Sequence, residues 1–169
     1  MITTSPLPPD ALLTRYAQAG AYTDCFVAQV GHPVSLATLV EVFYTGRLFK
    51  IERWLLRWLL DRPSTDAQAR ELALGERDSF AAWRVEARAP AQLLMCDVMG
   101  RTRSWLMVEH IHPGTTILYF GSAVVPTLDR ATGERRMGFV FAALLGFHKL
   151  YSRLLLGSAR SRLESNQKQ

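Results

Sequence analysis

Hydropathy along the chain runs in two rhythms. Tyr22 to Val30, YTDCFVAQV, carries the aromatic and β-branched residues of a strand. After the turn GHP the apolar positions recur at helical spacing. Ser35 is placed to cap a helix through LATLVEVFYT, and Gly46 separates it from a second helix, RLFKIERWLLRWLLDR, which Pro63 ends. A third, weaker helix, TDAQARELAL, stops at Gly75. From Asp78 the period changes to two. SFAAWRVEARA, QLLMCDVMG, RSWLMVEHI and TILYFGSAVV predict four strands joined by the short turns AP, GRT and HPGT, the pattern of an antiparallel meander. The loop PTLDRATGERRMG then leads into a long terminal helix.

That order predicts an α+β fold: a curved antiparallel sheet gripping a long C-terminal helix, with two or three helices between strand one and the rest of the sheet. At about 100° per residue, Val140, Ala143, Leu144, Phe147, Leu150, Tyr151 and Leu154 gather on one side of the terminal helix, which is expected to lie on the sheet. Leu145 and Leu156 fall off this stripe and are available for the intervening helices or for a homodimer surface. Charge interrupts the apolar run before the roughly 20 residues that span a bilayer, so no transmembrane segment is expected.

A length of 169 residues suits one domain. The expected division is a mobile Pro-rich leader with a short helix over 1–20, a single domain over 21–160 and a polar tail over 161–169. The net charge of +5 comes from scattered arginines without a basic block, which argues against nucleic acid as a partner. MITTSPLPPDALL lacks the basic and apolar regions of a secretory signal, so the expected location is cytoplasmic. Cys25 and Cys96 sit in strand-like stretches without zinc-site pairing and read as reduced core thiols.

YTDCF at the first strand, GRTRSWLMVE across a hairpin, LYFGSAVVP, and FHKLYSRLLL on the last helix resemble, in that order, the bacterial domain-of-unknown-function family 2867. The element order resembles the wider START-like helix-grip superfamily of polyketide cyclases and lipid-transfer domains. The resemblance covers Tyr22 to Ala159. It implies a sheet wrapped on the C-terminal helix with a pocket between them, and it supplies no catalytic residues. Related domains also occur behind nucleotide-binding oxidoreductase domains, but this chain has no Gly-rich dinucleotide loop and no cofactor is expected.

Alternation in RSWLMVEHI puts Arg103, Trp105, Met107 and Glu109 on one face and Ser104, Leu106, Val108 and His110 on the other. Either face could be inward. Trp105, Met107 and Tyr119, with Arg103 and Glu109 at the ends and Phe147, His148 and Tyr151 from the terminal helix, form the candidate site for a small apolar or amphipathic ligand. An ordinary packed core accounts for the apolar members equally well, and water or backbone bonds for His148 and Tyr151. A cyclase- or dehydratase-like enzyme would draw its proton-transfer group from Glu109, His148 or Tyr151. A third reading is a protein-interaction domain acting beside an oxidoreductase, through Leu145, Leu156, Trp54 and Trp58. Trp54 and Trp58 beside Lys50, Arg53 and Arg57 also suit peripheral contact with an anionic membrane. Glu52, among leucines of the same helix, reads either as a polar group in a pocket or as an exposed first-turn carboxylate. His110 and His112 lack a third ligand, so no metal is expected.

Overall fold

The alternating stretches pair into one antiparallel sheet. The computed structural model describes residues 1–50, 64–112, 114–128, 135–136 and 139–166, the side chains of 127–148 and 166 excepted. In chain order the elements are β1 (Thr3–Thr4), α1 (Thr14–Gln18), β2 (Tyr22–Val30), α2 (Leu36–Tyr44), α3 (Asp66–Leu74), β3 (Ser79–Phe80), β4 (Trp83–Ala89), β5 (Gln92–Asp97), β6 (Thr102–His112), β7 (Thr115–Val124), β8 (Thr127–Leu128), β9 (Arg135–Arg136) and α4 (Phe139–Asn166). Seven strands form the main sheet in the order β1-β2-β7-β6-β5-β4-β3, and β8 and β9 pair separately. This is the expected α+β arrangement. Most of the stretch read as the second helix, with Glu52, Trp54 and Trp58, lies outside the described residues.

The helix signals act where the sequence puts them. Ser35 accepts a hydrogen bond from the Thr38 amide at 3.1 Å at the start of α2. Thr65 and Gln68 close a reciprocal capping box on α3, and Gly75 ends it in the left-handed conformation at φ 81°.

Both faces of the central strands are buried, and they bury against different partners. Phe26, Leu93, Met95, Leu106, Val108, Leu118 and Phe120 meet α2, α3 and α4 in one core. Cys25, Leu94, Trp105, Met107 and Tyr119 form a second core with Ala11 and Leu13 of the leader. The leader thus covers a sheet face instead of standing free: β1 pairs with β2 through Thr3 and Val27, and Leu13 is 0% exposed. The apolar triplet Ala11-Leu12-Leu13 following the prolines is what holds it there.

The terminal helix also departs from its expected orientation. Among its described side chains Ser152, Leu155, Leu156, Ala159 and Leu163 are buried, whereas Leu150 and Leu154 are exposed. A window ending at Leu156 omits Ala159 and Leu163, and these set the stripe as Ser152, Leu156, Ala159 and Leu163 at successive steps of four, three and four. Leu156 is therefore core and not an external anchor, and Leu145 has no described side chain. Nor is 161–166 a loose polar tail. The helix runs to Asn166, and Arg162 Nη1 donates to the Val42 carbonyl at 2.6 Å and to Thr45 Oγ1 at 3.1 Å at the C-terminal end of α2.

Candidate functional site

The helical face of the sheet holds a cleft of about 240 Å³. Phe43 and Phe49 wall it from the α2 side, Phe120 and Trp83 from the sheet, and Tyr151, Ser152 and Leu155 from α4. Thr102, Ser104, Ser122 and Val124 complete the strand side, with backbone of Arg103 and Ala123 between them. The Phe43 and Phe120 rings meet in a tilted contact with centroids 4.9 Å apart, so the aromatic wall is continuous.

A row of polar residues crosses the sheet beneath the cleft. Asp24, Ser122 and Ser104 are register partners on β2, β7 and β6. Asp24 Oδ1 accepts from the Ser122 amide at 3.0 Å and from its hydroxyl at 2.7 Å, and Asp24 Oδ2 accepts from Tyr22 at 3.2 Å. Burial and then the Asp24 charge push the Tyr22 phenol well above its usual range, so it stays a neutral donor.

Most of the sequence-selected residues are elsewhere. Trp105, Met107 and Tyr119 lie in the leader-covered core, on the opposite face from α4. The reason is the period of two: Leu106 and Val108 turn to the helices, so Trp105 and Met107 must turn away. Tyr119 donates to Glu109 at 2.5 Å on that far side, and burial together with this bond raises the phenol. Glu109 is exposed. Arg103 donates from Nε to Glu86 Oε2 at 2.6 Å and to Tyr16 Oη at 2.8 Å, with its guanidinium 4.7 Å from the Tyr16 ring centre. Tyr16 in turn donates to Glu86 Oε1. The bulge between Val85 and Ala87 inserts Glu86 into β4 and turns it toward the leader. These groups lock α1 to the sheet.

Of the eight candidates, Tyr151 lines the cleft with its side chain, and Phe147 and His148 are among the side chains not described. Glu109 and Tyr151 lie on opposite sides of the sheet, so they cannot act on one substrate. Ser104, Ser122 and Ser152 line the cleft but belong to no sequence motif. The available signal was polarity inside apolar runs, serine within RSWLMV, YFGSAVV and LYSRLLL.

Among the described residues no cluster of three or more metal-binding side chains occurs, and no helix is long and apolar enough to cross a membrane. His110 Nδ1 instead lies 3.1 Å from Thr116 Oγ1. No family model matches the chain, so the resemblance to family 2867 gains no support there, and no curated protein matches it. Among solved structures the chain is similar to CalU16 from Micromonospora echinospora, at 11% identity over 98% of this chain and 90% of that one, with a TM-score of 0.36. That likeness is too loose to bear on function.

Proposed function

We propose that the protein binds a small apolar or amphipathic molecule in the cleft between the sheet and α4. The observation that supports this reading is an aromatic-walled space of about 240 Å³ set with a few hydroxyls, in the place where the two layers of the fold would otherwise close on each other. An engineered apolar cavity of about 150 Å³ holds benzene, so the space accommodates a molecule of roughly two fused rings. A cyclase-like reaction is less well supported, since Glu109 faces away from the cleft and, among the described side chains, Tyr151 is the one proposed proton-transfer residue that lines it.

Native mass spectrometry of protein purified without denaturation is the direct test. A retained small molecule, lost in a Leu155→Trp variant that fills the cleft, is the expected result. Identical ligand-free masses for both proteins, with no uptake of added naphthalene-sized probes, would overturn the reading.

A further inference from the structure

Two tryptophans of the sheet treat their indole N–H groups differently. Trp105 Nε1, in the leader-covered core, donates to Gln92 Oε1 at 2.9 Å. Trp83 packs against the helical core on the other face and lines the cleft, and among the described residues its Nε1 is buried with no hydrogen-bond partner. A buried donor left unbonded is costly, and native folds satisfy nearly all of them, so an exception calls for a physical reason. Here the exception stands in the wall of the space assigned to a ligand.

The chemistry of the indole limits what can match it. Its N–H donates and cannot accept, so the complementary group is an atom that offers a lone pair and needs no proton in return. A carbonyl oxygen is such an atom, and a hydrocarbon has none. The rings of Phe43 and Phe120 and the side chain of Leu155 in the same wall suit an apolar ring frame around it. Rotation about the bond from Cβ to the indole is soft, so a ligand seated against the ring can draw the N–H into contact without moving β4.

We propose that Trp83 Nε1 is the polar anchor of the cleft and donates to a carbonyl oxygen on an apolar ring compound, a cyclic or aryl ketone. The inference rests on the cleft being the binding site. It goes further in naming the group that is recognised and the atom that recognises it.

Calorimetric titration of the full chain with 1-tetralone and with tetralin, the hydrocarbon of nearly the same shape, separates the two ideas. Trp83→Phe keeps an aromatic ring in the wall and removes the N–H. The ratio of ketone affinity to hydrocarbon affinity is expected to fall about tenfold in the variant, the worth of one net hydrogen bond, whereas a change in the shape of the cleft acts on both compounds alike. In the unaltered protein the assigned indole N–H proton signal of Trp83 should move downfield with tetralone and not with tetralin, which decides even if the variant does not fold. A ratio that the substitution leaves unchanged, or an indole signal that tetralone leaves in place, overturns the role of Trp83 and keeps the cleft as a binding site. If neither compound binds, the cleft itself is not the site and both ideas fall.

Discussion

Trp105 and Gln92 are joined by a 2.9 Å hydrogen bond from the indole Nε1 to the amide oxygen, and that oxygen also accepts from the Leu12 backbone amide at 2.9 Å. Gln92 Nε2 donates to the Asp10 carbonyl at 3.1 Å. One buried amide therefore ties β5, β6 and the leader together. Gln92→Leu strands two donors and an acceptor and is expected to cost about 2–4 kcal/mol, read as a lower urea midpoint. Trp105→Phe removes a single bond and some volume and should cost about 1–3 kcal/mol. A Gln92→Leu protein as stable as the parent would show that the leader is not held this way.

Glu86 gives the stability a dependence on acid. Burial acts to raise its pKa, but the Tyr16 hydrogen bond and the Arg103 charge outweigh burial and hold it below the ordinary 4.5. Its contribution is therefore complete above that value and is lost as pH falls through the lower, folded pKa. Melting temperature measured from pH 6 down to pH 3 should fall more steeply for the parent than for Glu86→Gln. Parallel curves would remove the carboxylate from the account.

Two leucines two residues apart on α4 should behave oppositely. Leu156 is fully buried, and Leu156→Ala is expected to cost about 2–5 kcal/mol. Leu154 is 48% exposed, and Leu154→Ala should stay within about 0.5 kcal/mol of the parent. Equal losses in chemical denaturation would mean that the helix presents a different side to the core.

The Cys25 thiol reports on the leader. It is 4% exposed beneath Ala11 and Leu13, and burial, with the neighbouring Asp24 charge, pushes its pKa up to about 12. At pH 8 a water-soluble disulfide reagent should leave it unmodified. Leu13→Ala opens the cover, and mass spectrometry should then find Cys25 labelled at least about tenfold faster. Unchanged labelling would indicate that something other than Leu13 shields the thiol.

The long strands β2 and β4 to β7, the stop at Gly75 and the cap at Ser35 were legible in the sequence, because each depends on local chemistry, whereas SFAAWRVEARA divides into β3 and β4, and β1, β8 and β9 fall in segments read as leader and loop. The inward face of β6 was not legible either. Leu106 and Val108 on one side are as apolar as Trp105 and Met107 on the other, so alternation offered no polar side to set outward. The buried run QLLMC in β5 carried the missing signal, since a strand covered on both faces reads as continuously apolar. That run required a second covering element, and the leader was the available segment. The serines of the cleft were invisible for a different reason: Ser104 and Ser152 come to one wall from distant parts of the chain, and no spacing rule joins them.

The pairing of β2 with β7 places Tyr22 opposite Val124 and Val30 opposite Thr116. During synthesis the first long strand therefore emerges with its eventual neighbour still about a hundred residues from being made. Until β7 leaves the ribosome, β2 has one short partner, β1, and an open row of amides and carbonyls on its other side. Closing so long a loop is entropically slow, and it is the step at which a nascent chain is most open to pairing with the wrong strand. A chain interrupted before residue 115 has every helix up to α3 and most of its strands, yet lacks the strand that joins β2 to the meander. Such a fragment should associate with chaperones or aggregate, whereas the loss of residues beyond Leu163 leaves that closure untouched.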